Sequence, residues 1–137
     1  MAEATYDETS ALLERLLGRA VVAAEVEDEA VLLLDFTGDS AGSGGFTLAS
    51  YACGWRLETA QAVLAWSQDP KELLVDPVAR LVGQVLKAVE VEPPSLSATF
   101  TFDDVVLKSF LIVTRGLAQW TLTLPDGSVL AAGAGPP

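Results

Sequence analysis

Several short segments of the chain alternate between apolar and polar residues, which is the pattern of half-buried β-strands. The clearest is 95–102, where serine and threonine hold the odd positions and apolar side chains the even ones. Residues 120–124 alternate in the same way. The Pro-Asp-Gly sequence at 125–127 is typical of a tight turn, because proline presets one dihedral angle and glycine accepts a positive φ. These patterns predict a mainly β fold built from meanders.

A segment typical of a short helix precedes the first meander. Ser10 is a candidate N-cap, because its hydroxyl can accept a hydrogen bond from a free backbone N–H of the first turn. Residues 11–17 follow as the predicted helix, and Gly18 stands where a helix-terminal glycine belongs.

A second predicted helix precedes the second meander. Asp76 is its candidate cap, Pro77 takes the first helical position, and Gly83 ends it. The connector before this helix is apolar, and one further helical turn is predicted there at 71–74.

The two helix-plus-meander segments match each other at a constant spacing of 65 residues, without a gap. The identical pairs are Arg15/Arg80, Leu16/Leu81, Gly18/Gly83, Ala23/Ala88, Glu25/Glu90, Val26/Val91, Glu27/Glu92, Asp39/Asp104, Trp55/Trp120 and Leu57/Leu122. This match predicts an internal duplication, with repeats at about 10–68 and 75–133. One meander cannot bury its apolar face alone. We therefore expect a single domain, 1–137, in which two tandem repeats pack with pseudo-twofold symmetry as a sandwich or a barrel.

The composition excludes more classes of function than any motif does. The 137 residues include 19 acidic and 8 basic side chains, a net charge of −11, one cysteine and no histidine. Without histidine there is no Ser-His-Asp triad and no imidazole metal ligand. The negative charge disfavours nucleic acid and anionic membranes as partners. The lone Cys53 fits a cytoplasmic protein. We expect no enzyme activity, no cofactor and no metal site.

Carboxylates repeat on one predicted strand of each half. Glu25 and Glu27 alternate with apolar residues, and Glu90 and Glu92 do the same. Such an arrangement is typical of a solvated strand face, and it also suits a basic partner protein. Trp66, which has no tryptophan counterpart in the other half, is a candidate for an exposed contact. The function we expect is a protein-binding module whose acidic face engages a basic partner, for example an immunity-like neutraliser.

Two other function classes remain open. A small-molecule binder would hold its ligand in an apolar cavity between the repeats, lined by Trp55, Trp120, Phe100 and Phe102. A structural or oligomeric accessory protein would instead pair an edge strand near Trp66 with a second copy, giving a homodimer.

Short sequence elements of the two halves also resemble those of a group of bacterial proteins. Residues 16–26, 81–91 and 120–130, which contain the Leu-x-Gly, Trp-x-Leu and Pro-Asp-Gly-x-Val-Leu elements, are similar to small, acidic, mostly β proteins of high-GC bacteria. Some of these are suspected immunity or accessory factors beside toxins. The resemblance implies a β fold and a binding role, and it carries no catalytic residue over to this chain.

Overall fold

The computed structural model describes residues 6–39, 44–112 and 117–133, and that part of the chain contains two short helices and ten β-strands. The helices are α1 (Tyr6–Glu14) and α2 (Lys71–Ala79). The strands are β1 (Val21–Glu27), β2 (Val31–Phe36), β3 (Phe46–Ser50), β4 (Cys53–Glu58), β5 (Val63–Trp66), β6 (Ala88–Glu92), β7 (Ser97–Thr101), β8 (Val106–Leu111), β9 (Trp120–Thr123) and β10 (Val129–Ala132). A single 3-10 turn, Asp28–Ala30, joins β1 to β2. The predicted mainly β class is confirmed.

The strands form two five-stranded antiparallel sheets. The first has the order β1-β2-β3-β9-β10 and the second the order β5-β4-β8-β7-β6. Each sheet thus takes three strands from one half of the chain and two from the other. The joints are the pairs β3–β9 and β4–β8, in which Leu48 lies opposite Leu122 and Leu57 opposite Leu107.

One hydrophobic core lies between the sheets. Trp120 of the first sheet packs edge-on against Phe100 of the second, with ring centroids 5.2 Å apart. Phe36 stacks near Phe102 at 6.3 Å. The alternation within each strand supplies these side chains, because every second residue of β2 and β7 faces inward. The two sheets therefore pack face to face, as in a sandwich.

The helices cover the two sides on which the sheets end. Helix α1 contacts the edge strands β6 and β10, and α2 contacts the edge strands β1 and β5. Leu13 of α1 and two residues of α2, Leu74 and Val78, are buried in the core. Each helix thus joins an edge of one sheet to an edge of the other.

The predicted start of the first helix is wrong. The helix runs from Tyr6 to Glu14, and consecutive turns continue from there to Gly18. The Ser10 hydroxyl lies inside the helix and donates to the Glu14 carboxylate at 3.2 Å. The burial of Thr9 and Leu13, one turn apart, favours the earlier start, because it places both on the inward face.

The predicted start of the second helix is wrong as well. Helix α2 begins at Lys71, so the helical turn predicted at 71–74 is its first turn, and Asp76 and Pro77 lie inside it. Burial of Leu74 outweighs the poor helix propensity of the internal proline. Gly18 and Gly83 follow the helical segments with φ of +78° and +90°, as predicted for terminal glycines.

In the middle of the two halves the strands do not keep the constant spacing of 65 residues that the gap-free sequence match predicts. Residues 37–45 connect β2 to β3, whereas only 102–105 connect β7 to β8. The next connection is shorter in the first half, because residues 51–52 connect β3 to β4 whereas residues 112–119 connect β8 to β9. Phe36 at the end of β2 lies 19 residues before Trp55, and Thr101 at the end of β7 lies 19 residues before Trp120, so the spacing of 65 returns at the two tryptophans.

Candidate functional site

The two predicted acidic pairs lie in different sheets. Glu25 and Glu27 belong to β1, an edge strand of the first sheet, and Glu90 and Glu92 belong to β6, an edge strand of the second. All four side chains are exposed. Glu25 and Glu27 line a cavity beside α2, whereas Glu92 lines a separate cavity on the outer face of the second sheet. The structure does not bring the two pairs together in one cavity.

A groove runs between β1, the 3-10 turn and α2. It consists of a cavity of about 560 Å³ and an adjoining one of about 430 Å³, which share Glu27, Asp28 and Lys71. We call this feature the β1–α2 groove. Its lining residues are Ala24, Glu25, Val26, Glu27, Asp28, Glu29, Ala30, Val31, Ser67, Gln68, Asp69, Lys71, Leu74, Val75, Val78 and Ala79.

The floor of the β1–α2 groove is apolar. Val26 and Val31 come from the first sheet, and Val75 and Val78 come from α2. Val75 is 55% exposed, so the groove offers apolar surface to solvent. Such surface gains free energy when a ligand covers it, by about 25 cal/mol per Å².

The rim of the groove is acidic. Glu27, Asp28 and Glu29 follow one another at the end of β1, and Asp69 faces them from the connector before α2. Lys71 is the one basic residue among the lining residues, and its Nζ lies 3.1 Å from Asp28 Oδ1. The groove is therefore strongly negative even with this ion pair formed.

A buried tryptophan holds the acidic turn in place. The indole N–H of Trp55 donates to the carbonyl of Ala30 at 2.8 Å. Glu29 and Ala30 both have positive φ, 62° and 60°, a conformation that non-glycine residues rarely adopt. The hydrogen bond from the core thus fixes the turn that displays Asp28 and Glu29.

Trp66 lies close to the groove without lining it. It is on β5, an edge strand of the second sheet, and is 45% exposed. The backbone N–H of Trp66 donates to Asp69 Oδ2 at 3.0 Å, and the backbone N–H of Asp69 donates to the Trp66 carbonyl at 2.8 Å. Asp69 therefore forms hydrogen bonds with both backbone groups of Trp66, and it also lines the β1–α2 groove.

The four aromatic residues predicted to line a ligand cavity are packed in the core. Trp55, Trp120, Phe100 and Phe102 are each at most 2% exposed. None of them lines the β1–α2 groove or the cavity at Glu92.

The outer face of the second sheet carries charges that neutralise one another. Arg56 Nε and Lys108 Nζ both contact the carboxylate of Glu58, the lysine at 3.3 Å. Burial acts to raise the pKa of Glu58, but the two cations together outweigh it and hold the pKa below its usual value. The nearby cavity of about 410 Å³ contains both cations and Glu92. This face lacks the excess negative charge of the groove.

Cys53 is a packing residue. It is buried, its thiol lies 3.1 Å from the Gln119 carbonyl, and burial raises the pKa of the thiol to about 12. Among residues 6–39, 44–112 and 117–133, no group of three or more Cys, Asp or Glu side chains is placed to hold a metal ion. Within the same ranges, neither helix has the length and apolar character needed to cross a membrane.

Sequence reasoning missed half of the groove. Lys71 and Val75 were not candidates, because the second helix was predicted to start after them. Asp69 falls in the predicted connector, and nothing in the sequence places it near β1. Comparison of the chain with protein-family models, with curated proteins and with solved structures found no match.

Proposed function

We propose that this protein is a non-enzymatic binding module whose β1–α2 groove holds a basic, partly apolar segment of another protein. The observation that carries the proposal is the combination of an apolar floor at Val26 and Val75 with a rim of carboxylates. A segment with alternating apolar and cationic side chains matches both features at once. A neutraliser of a basic toxin is one concrete form of this function.

The charge of the whole protein supports the same partner chemistry. A net charge of −11 attracts a basic partner over a distance and raises the association rate, and added salt weakens that attraction. We further propose a cytoplasmic setting, which the single, unpaired Cys53 supports.

We also infer that the chain is an internal duplication with pseudo-twofold symmetry. The support comes from the sheets, because the order β1-β2-β3-β9-β10 of the first sheet corresponds to the order β6-β7-β8-β4-β5 of the second. The spacing of 65 residues between Tyr6–Glu14 and Lys71–Ala79 adds to it.

Under this symmetry the β1–α2 groove has a counterpart between β6 and α1. The two sites differ at the acidic turn, at Lys71 and at the apolar floor. The positions that correspond to Asp28 and Glu29 are Pro93 and Pro94, and the position that corresponds to Lys71 is Tyr6. Val91 and Leu96, the counterparts of the half-buried Val26 and Val31, are buried. The acidic turn and the open floor thus occur in one half, so we expect one binding site per chain.

The experiment measures binding of a short fluorescent peptide of alternating arginine and leucine by anisotropy, with a glutamate–leucine peptide as the negative control. E25Q/E27Q should weaken binding of the arginine peptide about two- to thirtyfold, since each exposed charge pair contributes about 0.2–1 kcal/mol. E90Q/E92Q removes the same charge from the corresponding strand and should have a smaller effect. Equal effects of the two double variants would show that only net charge attracts the peptide.

A second pair of variants tests the floor. V75S should weaken binding, because Val75 lines the groove, whereas L73S should not, because Leu73 is similarly exposed at 60% on the same helix but does not line the groove. Urea unfolding of all variants checks that they remain folded. Unchanged affinity in V75S would contradict the role of the apolar floor.

A further inference from the structure

Lys71 occupies the middle of the β1–α2 groove. It is the first residue of α2, and its side chain reaches back to the turn after β1, where Nζ lies 3.1 Å from Asp28 Oδ1. Lys71 and Asp28 line both cavities of the groove, so their contact lies where the two cavities meet. The carboxylates therefore already hold one ammonium group, which belongs to the protein itself.

This internal ion pair is easily exchanged. The side chain of Lys71 is 54% exposed and that of Asp28 is 96% exposed. Ion pairs so open to water are weak, because solvent screens the charges and because holding the long Lys71 side chain in one geometry costs conformational entropy. A stronger cation supplied from outside can thus take the place of Lys71 at low cost.

We propose that Asp28 is the subsite for a cationic side chain of the partner and that Lys71 is the internal occupant which this side chain displaces. The inference rests on the proposed function of the groove and specifies how its ligand is recognised. An arginine of the partner binds Asp28, while an apolar neighbour contacts Val26 and Val75. Arginine is favoured over lysine because its planar guanidinium donates two parallel hydrogen bonds to a carboxylate, whereas the ammonium of Lys71 is a point charge.

The position of Lys71 also links ligand entry to the release of its side chain. Because the contact between Lys71 and Asp28 lies where the two cavities meet, a segment that occupies both cavities displaces Nζ from Asp28. Ligand entry and release of Lys71 are therefore one event. The lysine lowers the affinity for weakly cationic segments and leaves strongly cationic ones bound, so it contributes to selectivity.

The test compares K71M with K87M in the arginine–leucine peptide assay. Lys87 is a matched control, because its side chain is 58% exposed, close to the 54% of Lys71, and forms a surface ion pair, 3.4 Å from Asp103 Oδ1, outside the groove. Both variants remove one positive charge, so both raise the general attraction for the peptide. We expect K71M to bind the peptide about 1.4- to fivefold more tightly than K87M, the range that corresponds to about 0.2–1 kcal/mol for one exposed ion pair.

The same comparison in a D28N background tests whether the effect of K71M depends on the contact between Lys71 and Asp28. With Asp28 neutral, Lys71 has no contact with Asp28 to leave, so the advantage of K71M/D28N over K87M/D28N should be smaller than that of K71M over K87M. A K71M protein that binds no better than K87M would overturn the inference while the groove proposal stands. A wild-type protein that fails to bind the arginine peptide would overturn both proposals. Far-UV circular dichroism and urea unfolding confirm that each variant is folded.

Discussion

Ala20 and Val85 form an isolated antiparallel bridge between the two halves of the chain. The hydrogen bonds beside it are reciprocal. The Gly18 N–H donates to the Leu86 carbonyl at 2.9 Å, and the Gly83 N–H donates to the Val21 carbonyl at 2.8 Å. Each half thus uses the segment after its helix to bind the same segment of the other half, and backbone pairing joins the halves at this point as well as within the sheets.

This interleaving predicts that neither half folds alone. The fragments 1–69 and 70–137 each contain only part of both sheets, with β1-β2-β3 separated from β9-β10. We expect each fragment by itself to show no cooperative unfolding transition, and an equimolar mixture to regain the circular dichroism and denaturant transition of the intact chain. Cooperative unfolding of 1–69 as a monomer would contradict the shared sheets.

Replacement of Trp55 should destabilise the protein far more than replacement of Trp66. Trp55 is fully buried and its indole N–H bonds to Ala30, so W55F removes both packing volume and a hydrogen bond. We expect a loss of about 2–4 kcal/mol in the free energy of unfolding, measured in urea. W66F changes a half-exposed ring on an edge strand and should stay within about 0.5 kcal/mol.

The same pair of variants has a second readout. Because Trp55 holds the Asp28–Ala30 turn, W55F should also weaken binding of the arginine–leucine peptide under conditions in which the protein is still folded. W66F should leave that affinity unchanged. Full affinity in W55F would mean that the turn keeps its conformation without the indole hydrogen bond.

Asp103 should contribute to stability at neutral pH and lose that contribution in acid. Its carboxylate accepts the Val85 N–H at 3.1 Å and lies 3.4 Å from Lys87 Nζ. The backbone hydrogen bond first and Lys87 second hold the pKa of Asp103 below its usual value of 3.8. A group whose pKa is lower in the folded state stabilises the protein above the unfolded value and loses that effect as the pH falls through the folded value.

The measurement is the thermal midpoint of wild type and D103N from neutral pH to well below pH 3.8. The difference between the two proteins should be largest near neutral pH and shrink in acid. E72Q, which removes one carboxylate from an exposed position of α2, controls for the change in net charge. A difference that stays constant with pH would show that the ionised carboxylate contributes nothing specific.

Cys53 should react with thiol reagents only when the protein opens. With its pKa raised to about 12 by burial, the thiol carries almost no thiolate near pH 8, and the core excludes the reagent. We expect labelling by a chromogenic disulfide at pH 8 to be at least about a hundredfold slower in the native protein than in urea. Equal rates in both conditions would contradict the burial of this side chain.

Local sequence patterns predicted the elements well and their pairing poorly. The strands Ser97–Thr101 and Trp120–Thr123 and the glycines after the helices were read from alternation and from backbone preferences, which act within a few residues. The joints β3–β9 and β4–β8 connect strands that are far apart in the chain. Two tandem meanders and two interleaved sheets share the same local pattern, so only tertiary packing distinguishes them.

For the same reason, only about half of the candidate site could be predicted from the sequence. Glu25 and Glu27 followed from the alternation of β1, which is a local property. Lys71 and Val75 contribute to the groove because α2 packs against β1, and the internal Pro77 suggested a later helix start that left both residues in a connector. Burial of Leu74 sets the actual start, and that burial exists only once the sheets have formed.

The contact of α1 with β10 has a consequence for synthesis on the ribosome. The Gly133 N–H donates to the hydroxyl of Thr9 at 3.3 Å, so the first helix is held by a segment made more than a hundred residues later. The first sheet cannot be completed until β9 and β10 have left the exit tunnel, and the second sheet cannot be completed until β8 has. Until then β3 and β4 each lack the neighbouring strand that the second half supplies, and the exposure of their free edges and apolar faces to chaperones and to aggregation depends on the speed at which the second half is made.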